Sequence, residues 1–417
     1  MKVLLLGGGG REHALGWKLA QSPLLTELIS APGNPGLAAL GRTAPIEPTD
    51  PGSVAQFATD GGIDLVVVGP EAPLAAGVAD TLSEAGIGVF GPSADAARLE
   101  SSKAFAKAVM ERAGVPTGGA ETFTDLTAAS AHLDAIEGPF VVKADGLAAG
   151  KGVLVTEDRA AAQAWAAACL SGVFGDAGST VVVEEYLSGR EASVFALVDG
   201  TNAVPLEPAR DYKRLRDGDT GPNTGGMGCF SPVSDLPDGL VDETMTNIVE
   251  PVLDTLRSDG IVYRGFLYVG LVLTDDGPKV LEFNARLGDP ETQVILPRLE
   301  DDLLALLLAG ADGALPAEPL RWSPRFATGV VLASKGYPDK RKKPKVITGV
   351  GRAERSVDTL VFHAGTGYVG DDLVASGGRV LNVVGLGDTL SKARERAYAA
   401  ANLIEFKGKQ HRTDIGR

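Results

Sequence analysis

Residues 279–293 read KVLEFNARLGDPETQ, an apolar strand-like run whose polar side chains fall on one face. Side chains alternate along a strand, so Glu282, Asn284 and Arg286 are predicted to point the same way. A carboxylate, an amide oxygen and a guanidinium in one row suit a hard metal ion beside an anionic substrate. The alternative is an edge strand with a solvated polar face. The metal interpretation therefore requires phosphate-binding groups elsewhere in the chain.

A glycine-rich loop between two predicted strands is a candidate for that phosphate site. An apolar strand ends at Lys143, residues 143–152 read KADGLAAGKG, and a second strand follows at 153–155. The spacing differs from a P-loop, because three residues separate the glycines and Gly152 follows Lys151. Two lysines bracketing such a loop favour a flap over a polyphosphate. A hairpin with two solvated lysines is the alternative.

The first twenty residues have a strand, glycine turn and helix pattern, with glycines at 7–10 and a helical stretch from Arg11 to Ala20. Backbone amides at such a helix start suit an anion. The G-x-G-x-x-G fingerprint fails because Glu12 or His13 stands at its third glycine, which disfavours NAD. Arg11 is predicted to help bind a phosphate monoester. A surface arginine beside a structural turn explains this segment equally well.

Further candidates follow in chain order. Asn34 and Glu71 lie at predicted strand ends, where open α/β sheets bind ligands, although turn and cap residues are common there too. Lys103 begins a predicted helix, where a cation opposes the helix dipole and suits a bound anion. The strand at 180–187 leads to Glu191, a combination that suits a purine edge and ribose hydroxyls. Lys213 precedes a long loop at 220–228 and is a candidate for phosphates or a carboxylate.

Length and composition bound the class of protein. A chain of 417 residues is expected to form about three domains. Lys and Arg total 39 against 54 Asp and Glu, and the net charge of −15 disfavours non-specific binding to nucleic acid or anionic membranes. Two cysteines, Cys169 and Cys229, cannot form a disulfide framework and suit a reducing cytoplasm. No apolar run approaches the roughly 20 residues of a membrane span, and the N terminus lacks a signal-peptide pattern.

Several motifs together resemble the phosphoribosylamine-glycine ligases, also called glycinamide ribonucleotide synthetases, which are ATP-grasp enzymes of purine synthesis. The motifs are GGGREHAL at 8–15, APGN at 31–34, VGPEAPL at 68–74, KADGLAAGKG at 143–152, GPNTGGMG at 221–228, EFNARLGDPETQ at 282–293 and SGGRVL at 376–381. The resemblance implies an α/β and α+β multidomain protein with the ATP-grasp fold. We expect an N-terminal open parallel α/β domain at 1–100, an ATP-grasp small subdomain with a linker helix at 101–190, a large subdomain at 191–324 and a mixed C-terminal domain at 325–417.

The resemblance also implies a reaction. ATP, glycine and 5-phosphoribosylamine would give ADP, phosphate and glycinamide ribonucleotide through glycyl phosphate, with Mg²⁺ or Mn²⁺ as the metal. The expected partners are these small molecules, with no nucleic acid and no membrane, and the expected state is a cytoplasmic monomer. One alternative is another ATP-grasp ligase or carboxylase of purine synthesis. A catalytically idle nucleotide-binding regulator is disfavoured, because the phosphate lysines and the metal pair are intact.

The resemblance assigns residues to roles. Those implied for ATP are Lys103, Lys143, Gly146, Gly150, Lys151, Gly152, Glu184, Glu185, Tyr186, Leu187 and Glu191. Those implied for the other substrates are Gly9, Gly10, Arg11, Asn34, Glu71, Asp211, Asn223, Thr224 and Gly225, with Arg286 and Lys213 as catalytic residues and Glu282 and Asn284 as metal ligands. Tyr212 departs from the histidine usual in the family and receives no role. Residues 265–274 lack a further acidic ligand, so phosphate oxygens and waters would complete the metal coordination.

Overall fold

We analysed a computed structural model of the protein, which describes residues 1–148, 151–339 and 343–417. Its first hundred residues alternate strands and helices. They comprise β1 Lys2–Gly7, α1 Gly10–Leu19, β2 Glu27–Pro32, α2 Pro35–Leu40, β3 Arg42–Thr43, α3 Pro51–Gly61, β4 Leu65–Val68, α4 Glu71–Ala75, α5 Val78–Glu84, β5 Gly88–Phe90 and α6 Ala94–Ser101. The strands form a parallel sheet in the order β3-β2-β1-β4-β5. This confirms the predicted open α/β unit.

A small antiparallel sheet follows. Its elements are α7 Lys103–Ala113, β6 Ala120–Phe123, α8 Leu126–Ala135, β7 Phe140–Ala144, β8 Val153–Thr156, α9 Arg159–Ala168 and β9 Val181–Glu184, with short π and 3₁₀ turns at 169–173 and 175–178. The strand order is β6-β9-β7-β8. The hairpin β7–β8 carries the glycine-rich loop at its tip. The predicted strand at 180–187 ends at Glu184, so Glu185, Tyr186 and Leu187 lie in the following loop.

The rest of the chain is built around one large sheet. Its first elements are β10 Arg190–Asp199, β11 Ala203–Asp211, β12 Arg214–Arg216, β13 Thr220–Asn223, β14 Gly228–Ser231, α10 Leu240–Thr244, α11 Glu250–Ser258, β15 Arg264–Thr274, β16 Gly277–Asn284, α12 Thr292–Ile295 and α13 Leu303–Asp312. The later elements are β17 Phe326–Ser334, β18 Lys345–Val346, α14 Val350–Glu354, β19 Thr359–His363, β20 Thr366–Val369, β21 Asp372–Ala375, β22 Arg379–Gly387, α15 Leu390–Ala401 and β23 Lys409–Gln410. The described residues form a nine-stranded sheet in the order β16-β15-β10-β11-β14-β17-β22-β19, with β23 paired to β17. The sheet thus runs continuously through the last two predicted domains.

Apolar packing fixes the N-terminal unit against this sheet. One core contains Leu15 of α1, Phe90 of β5, and Phe195 and Phe266 of the large sheet. The rings of Phe90 and Phe266 meet edge to face with centroids 5.0 Å apart. Buried apolar surface of this kind is the main stabilising term in folding. The packing therefore holds the glycine turn before α1 beside the end of β16.

Among the described residues, none of the helices is long and apolar enough to cross a membrane. Both cysteines are buried and unpaired with each other. The predicted loop residue Gly150 lies outside the described residues.

Candidate active site

The hairpin β15–β16 presents the predicted metal ligands. Glu282 lies opposite Gly270, and Asn284 lies opposite Tyr268. The absence of a side chain at Gly270 leaves room beside the Glu282 carboxylate, since a Cβ there would lie 3.3 Å from Glu282 Cγ. The strand ends at Asn284, so the expectation that Arg286 continues the same strand row is wrong. Glu282 and Asn284 remain on one face of β16.

The charges of four cations from different elements act on Glu282. Burial raises the pKa of this carboxyl, but the charges of Lys213, Lys143, Lys103 and Arg286 outweigh burial and hold the pKa below its usual value. These side chains come from the segment after β11, from β7, from α7 and from the segment after β16. The structure therefore brings together the residues that the sequence assigned separately to phosphates, metal and catalysis.

Lys143 is held by a buried carboxylate on the neighbouring strand. Its Nζ lies 2.9 Å from Glu184 Oε2, and Lys107 Nζ lies 3.3 Å from the same oxygen. Lys107 also donates to Thr117 Oγ1 and to the Gly118 carbonyl, each at 2.9 Å. Sequence reasoning assigned the Glu184 segment to adenine and missed Lys107, although Lys107 follows Lys103 by one helical turn. The Glu184 side chain is occupied by these two lysines.

Lys103 joins the start of α7 to the glycine-rich loop. Its Nζ donates to the carbonyls of Asp145 and Gly146 at 3.1 and 3.2 Å. The Asp145 carboxylate in turn accepts the Ala104 N–H at 2.7 Å and contacts Ser102 Oγ at 3.0 Å. Burial lowers the pKa of Lys103, while Glu282 opposes that shift. Asp145 and Gly146, at the start of the loop, are therefore held against the N-terminus of α7, with the Lys103 ammonium group beside them.

Two glycines of the loop are sterically required. A Cβ on Gly146 would lie 2.6 Å from Ala177, and one on Gly152 would lie 2.7 Å from the Ala148 Cβ. Lys151, which directly precedes Gly152, is exposed. A side chain at either position would therefore require its neighbours to shift.

The residues that follow β9 differ in their exposure and in their contacts. Glu185 is exposed and accepts the Gly119 N–H at 3.0 Å. Tyr186 is 45% exposed, and Leu187 is half-buried. Glu191 on β10 pairs with Lys213, with 2.7 Å between Oε2 and Nζ. The Glu191 carboxylate is thereby placed at the same cleft as Glu282.

The segment after β11 brings further polar groups to the cleft. Burial raises the pKa of Asp211 to about 7, although Lys213 lowers it. The Thr224 hydroxyl and amide both donate to the Lys213 carbonyl at 2.8 Å. Asn223 is exposed on β13. Glu291, which sequence reasoning missed, is buried beside this group, and Tyr268 donates to it at 3.2 Å.

Arg286 lies between two carboxylates. Its Nε is 3.3 Å from Glu71 Oε2, and its Nη2 is 2.7 Å from Glu100 Oε1. These carboxylates outweigh burial and raise the pKa of the guanidinium. Glu71 was predicted as a site residue, whereas Glu100 was not. No motif in the sequence distinguishes Glu100 from an ordinary helical glutamate.

The glycine turn before α1 adjoins the same region. The Gly9 N–H donates to Glu12 Oε2 at 2.6 Å, and Gly10 begins the helix. Arg11 Nη1 reaches Glu12 Oε1 at 3.1 Å and the Gly69 carbonyl at 3.2 Å. Arg11 Nε is buried and finds no partner within the described ranges. An unpaired donor beside a helix N-terminus suits an anionic ligand.

Asn34, in contrast, makes hydrogen bonds that stabilise the fold. Its Oδ1 caps α2 by accepting the Leu37 N–H at 3.0 Å, and its Nδ2 donates to the carbonyls of Gly8 at 3.0 Å and His363 at 2.9 Å. Its amide is therefore engaged in joining the glycine turn to β19. Its predicted contact with substrate stays a prediction.

Arg379 closes the cleft from β22. It donates to the carbonyls of Gly225 and Asp289, and its Nη2 lies 3.3 Å from Asp289 Oδ2. The Gly225 N–H donates to the Tyr337 hydroxyl at 2.9 Å. These contacts hold the loop at 220–228 against the segment after β16.

Tyr212, which the resemblance gave no role, and His13, which interrupts the glycine fingerprint, both make structural contacts. The Tyr212 hydroxyl accepts the Gly416 N–H at 3.1 Å, and Arg412 stacks over its ring at 4.8 Å. His13 is buried, and its Nδ1 accepts the His363 N–H at 2.7 Å. Neither residue lies among the groups around Glu282.

The donors at Glu282 and Asn284 suit a hard divalent cation, because both offer oxygen. In the part of the chain that is described, no group of three His, Cys, Asp or Glu side chains is arranged to hold a metal ion. Two oxygen donors beside a group of lysines are the pattern expected of a cation that is shared with a nucleotide.

Comparisons with known proteins match the whole chain. The family models described as the N domain, the ATP-grasp (A) domain and the C domain of phosphoribosylglycinamide synthetase match residues 1–100, 101–292 and 327–417. The phosphoribosylamine-glycine ligase of Mesorhizobium japonicum is 50% identical over 416 residues, which cover 100% of this chain and 98% of that protein.

Two solved structures share the fold. The crystal structure of the Thermotoga maritima phosphoribosylamine-glycine ligase superposes with a TM-score of 0.87 at 37% identity, covering 99% of this chain and 100% of that one. The biotin carboxylase domain of Hydrogenobacter thermophilus 2-oxoglutarate carboxylase, solved with magnesium and ADP, has a TM-score of 0.74 at 17% identity, covering 98% and 91% of the two chains. The second likeness shows the fold alone. Together these matches establish the ATP-grasp fold that the motifs predicted.

Proposed function

This chain belongs to the phosphoribosylglycinamide synthetase family, and on that premise we propose that the cleft around Glu282 carries out the ATP-dependent ligation of glycine to 5-phosphoribosylamine. The observation that carries the proposal is the convergence of Lys103, Lys143, Lys213 and Arg286 on that carboxylate. Phosphoryl transfer depends on charge neutralisation and positioning more than on a protein nucleophile. These four cations, each held by a carbonyl or carboxylate partner, supply both.

The triphosphate of ATP would lie between the glycine-rich loop and β16. Lys103 and Lys143 would bind its oxygens, and both are already oriented by carbonyl or carboxylate partners. Glu191 would meet the ribose after exchanging its contact with Lys213. The loop that follows β9, from Glu185 to Leu187, would meet adenine, while the Glu184 side chain keeps the lysines in place.

Glu282 and Asn284 would hold a divalent cation, Mg²⁺ or Mn²⁺. When bound, such an ion neutralises phosphate charge and polarises the phosphoryl oxygen. The lysines that surround Glu282 keep this carboxyl ionised and ready to bind the cation. Asn284, on the same face of β16, offers a neutral oxygen beside it.

Arg286 and Lys213 would orient the carboxylate of glycine. One of its oxygens attacks the γ-phosphorus of ATP, ADP leaves, and glycyl phosphate forms. The nitrogen of phosphoribosylamine then attacks the carbonyl carbon, the nitrogen loses a proton, and phosphate leaves. Water would hydrolyse glycyl phosphate, so the loops at 143–152 and 220–228 would serve as covers during the reaction.

Phosphoribosylamine would lie nearest the N-terminal unit. The turn at Gly9 and Gly10 offers a helix start, and Arg11 offers an unpaired Nε for its phosphate. Glu71, Asp211 and the loop residues Asn223, Thr224 and Gly225 would contact phosphoribosylamine between this turn and Glu282. We also expect the protein to be a monomer located in the cytoplasm. Light scattering would test the monomeric state against the chain mass of 42.9 kDa. We also propose the domain limits given above, with the last two domains sharing one sheet.

The test is an ADP-release assay with phosphoribosylamine generated in place. We expect release with glycine and Mg²⁺, little release with alanine, and none without an amino acid. Another ATP-grasp ligase or carboxylase would release ADP with a different acceptor, and glycine would not matter. Absence of glycine-dependent release from a protein that binds ATP would overturn the proposal.

A further inference from the structure

A single buried carboxylate holds the segment that joins the proposed metal ligand to the proposed glycine-binding arginine. Glu100 lies in the last turn of α6, and its side chain is 8% exposed. Its Oε2 accepts the Ala285 N–H at 2.8 Å, and its Oε1 lies 2.7 Å from Arg286 Nη2. The two oxygens therefore bind two consecutive residues immediately after Asn284.

The position of Glu100 links this segment to the phosphate site. Three residues further on, Lys103 donates to the carbonyls of Asp145 and Gly146 at 3.1 and 3.2 Å. Between them, Ser102 caps α7. The junction of α6 and α7 thus contacts the start of the glycine-rich loop through Lys103 and the end of β16 through Glu100. A shift of Glu100 would displace Arg286 relative to Lys103.

The ion pair leaves Arg286 available to a ligand. A guanidinium has five N–H groups. Arg286 uses Nε toward Glu71 at 3.3 Å, one Nη2 hydrogen toward Glu100, and Nη1 toward the Leu287 carbonyl at 3.4 Å. The Glu100 contact is the shortest of the three and the more buried of the two carboxylate contacts. Glu100 therefore orients the guanidinium without occupying all its donors.

We propose that Glu100 is a positioning residue of the ligase site, which fixes the backbone at Ala285 and the guanidinium of Arg286 so that this cation faces the carboxylate of glycine. The proposal rests on the function proposed above. It assigns Glu100 no contact with substrate. Its effect comes through Arg286, because a misplacement of about 1 Å in a positioning group can lower the rate by about 100-fold.

The experiment compares the full-length protein with its Glu100→Gln and Glu100→Asp variants. Initial rates of ADP release are measured against glycine concentration, and ATP binding is measured by calorimetry. We expect Glu100→Gln to lower kcat/KM for glycine by about 100-fold, with the Kd for ATP within about twofold. Glu100→Asp retains the charge and should recover part of the loss. The matched control is Glu207→Gln, which removes a carboxylate 3.3 Å from the buried Arg298. It should leave the kinetics within about twofold of wild type.

A double variant distinguishes the positioning role of Glu100 from a general folding defect. If Glu100 acts through Arg286, Glu100→Gln should have no further effect on glycine kinetics in an Arg286→Gln background, because the two residues form one unit. Wild-type kinetics in Glu100→Gln, or full additivity of the two changes, would overturn the positioning role. A parallel loss of ATP binding and thermal stability would also overturn it. Failure of the wild type to release ADP with glycine would instead contradict the proposed function, so the two failures are distinct.

Discussion

The Glu184 carboxylate lies 2.9 Å from the Lys143 ammonium group across neighbouring strands of the small sheet, and both side chains are buried. Lys107 reaches the same carboxylate at 3.3 Å. A buried charge without a partner is costly, so Glu184 allows Lys143 to face the cleft and Lys107 provides a second partner.

This arrangement separates the catalytic effect of Lys143 from its effect on stability. We expect Lys143→Met to lower kcat by at least about 100-fold, because a phosphate-binding cation is lost. The melting temperature should change little, since Lys107 still pairs with Glu184. Rate assays and thermal unfolding measure the two effects, with the exposed Lys392→Met as control. A large loss of stability with unchanged kcat in the folded fraction would show a purely structural lysine.

The metal ligands are tested by the requirement for Mg²⁺. Glu282→Gln removes one charged oxygen donor, so we expect half-maximal activity to need at least about tenfold more Mg²⁺ at fixed ATP. Asn284→Ala should act in the same direction. Asp276→Asn, in the exposed turn between β15 and β16, is the control. Unchanged turnover of Glu282→Gln at limiting Mg²⁺ would contradict the metal assignment.

Arg11 is expected to bind the phosphate of phosphoribosylamine through its unpaired Nε. Hydrogen bonds to charged groups contribute about 1.5–3 kcal/mol, so Arg11→Met should raise the KM for phosphoribosylamine by about tenfold or more. The KM for ATP should stay within about twofold. Arg42→Met provides the control, because Arg42 forms a surface pair with Glu27 in the same unit. An equal rise in the KM for phosphoribosylamine and the KM for ATP would instead show that Arg11 supports the fold of the cleft and does not bind phosphoribosylamine specifically.

His13 gives a prediction for stability against pH. Burial lowers its pKa from 6.5 to about 3, and His363 contributes further. The unfolded chain therefore takes up a proton below pH 6.5 that the folded protein excludes down to about pH 3. The contribution of this histidine is fully present above pH 6.5 and falls by about 1.4 kcal/mol per pH unit as the solution is acidified.

The measurement compares urea unfolding of wild type and His13→Gln from pH 7 to pH 4.5. The difference between the proteins isolates the histidine from buried carboxylates such as Glu100, whose raised pKa acts in the opposite direction. The variant should gain stability relative to wild type as pH falls. A difference that does not vary with pH would contradict the prediction.

The motifs alone determined much about this protein. Apolar runs and glycine turns predicted β1, α1, α7 and β16, because these elements depend on local periodicity and capping. The ligand chemistry also followed from residue types, since lysines near glycines suit phosphate and oxygen donors suit a hard cation. These are properties of neighbours in the chain.

Only the tertiary structure decided which distant residues meet. Glu100 carries no local signal, and the roles of Glu100 and Lys107 come from ion pairs to residues more than seventy positions away. Packing also ended β16 at Asn284 and placed Arg286 between two carboxylates of the N-terminal unit, although alternation predicted one continuous row. A strand pattern specifies the faces of a strand. The partners of a charged side chain depend on long-range packing, which brings buried charges together because leaving them unpaired costs several kcal/mol.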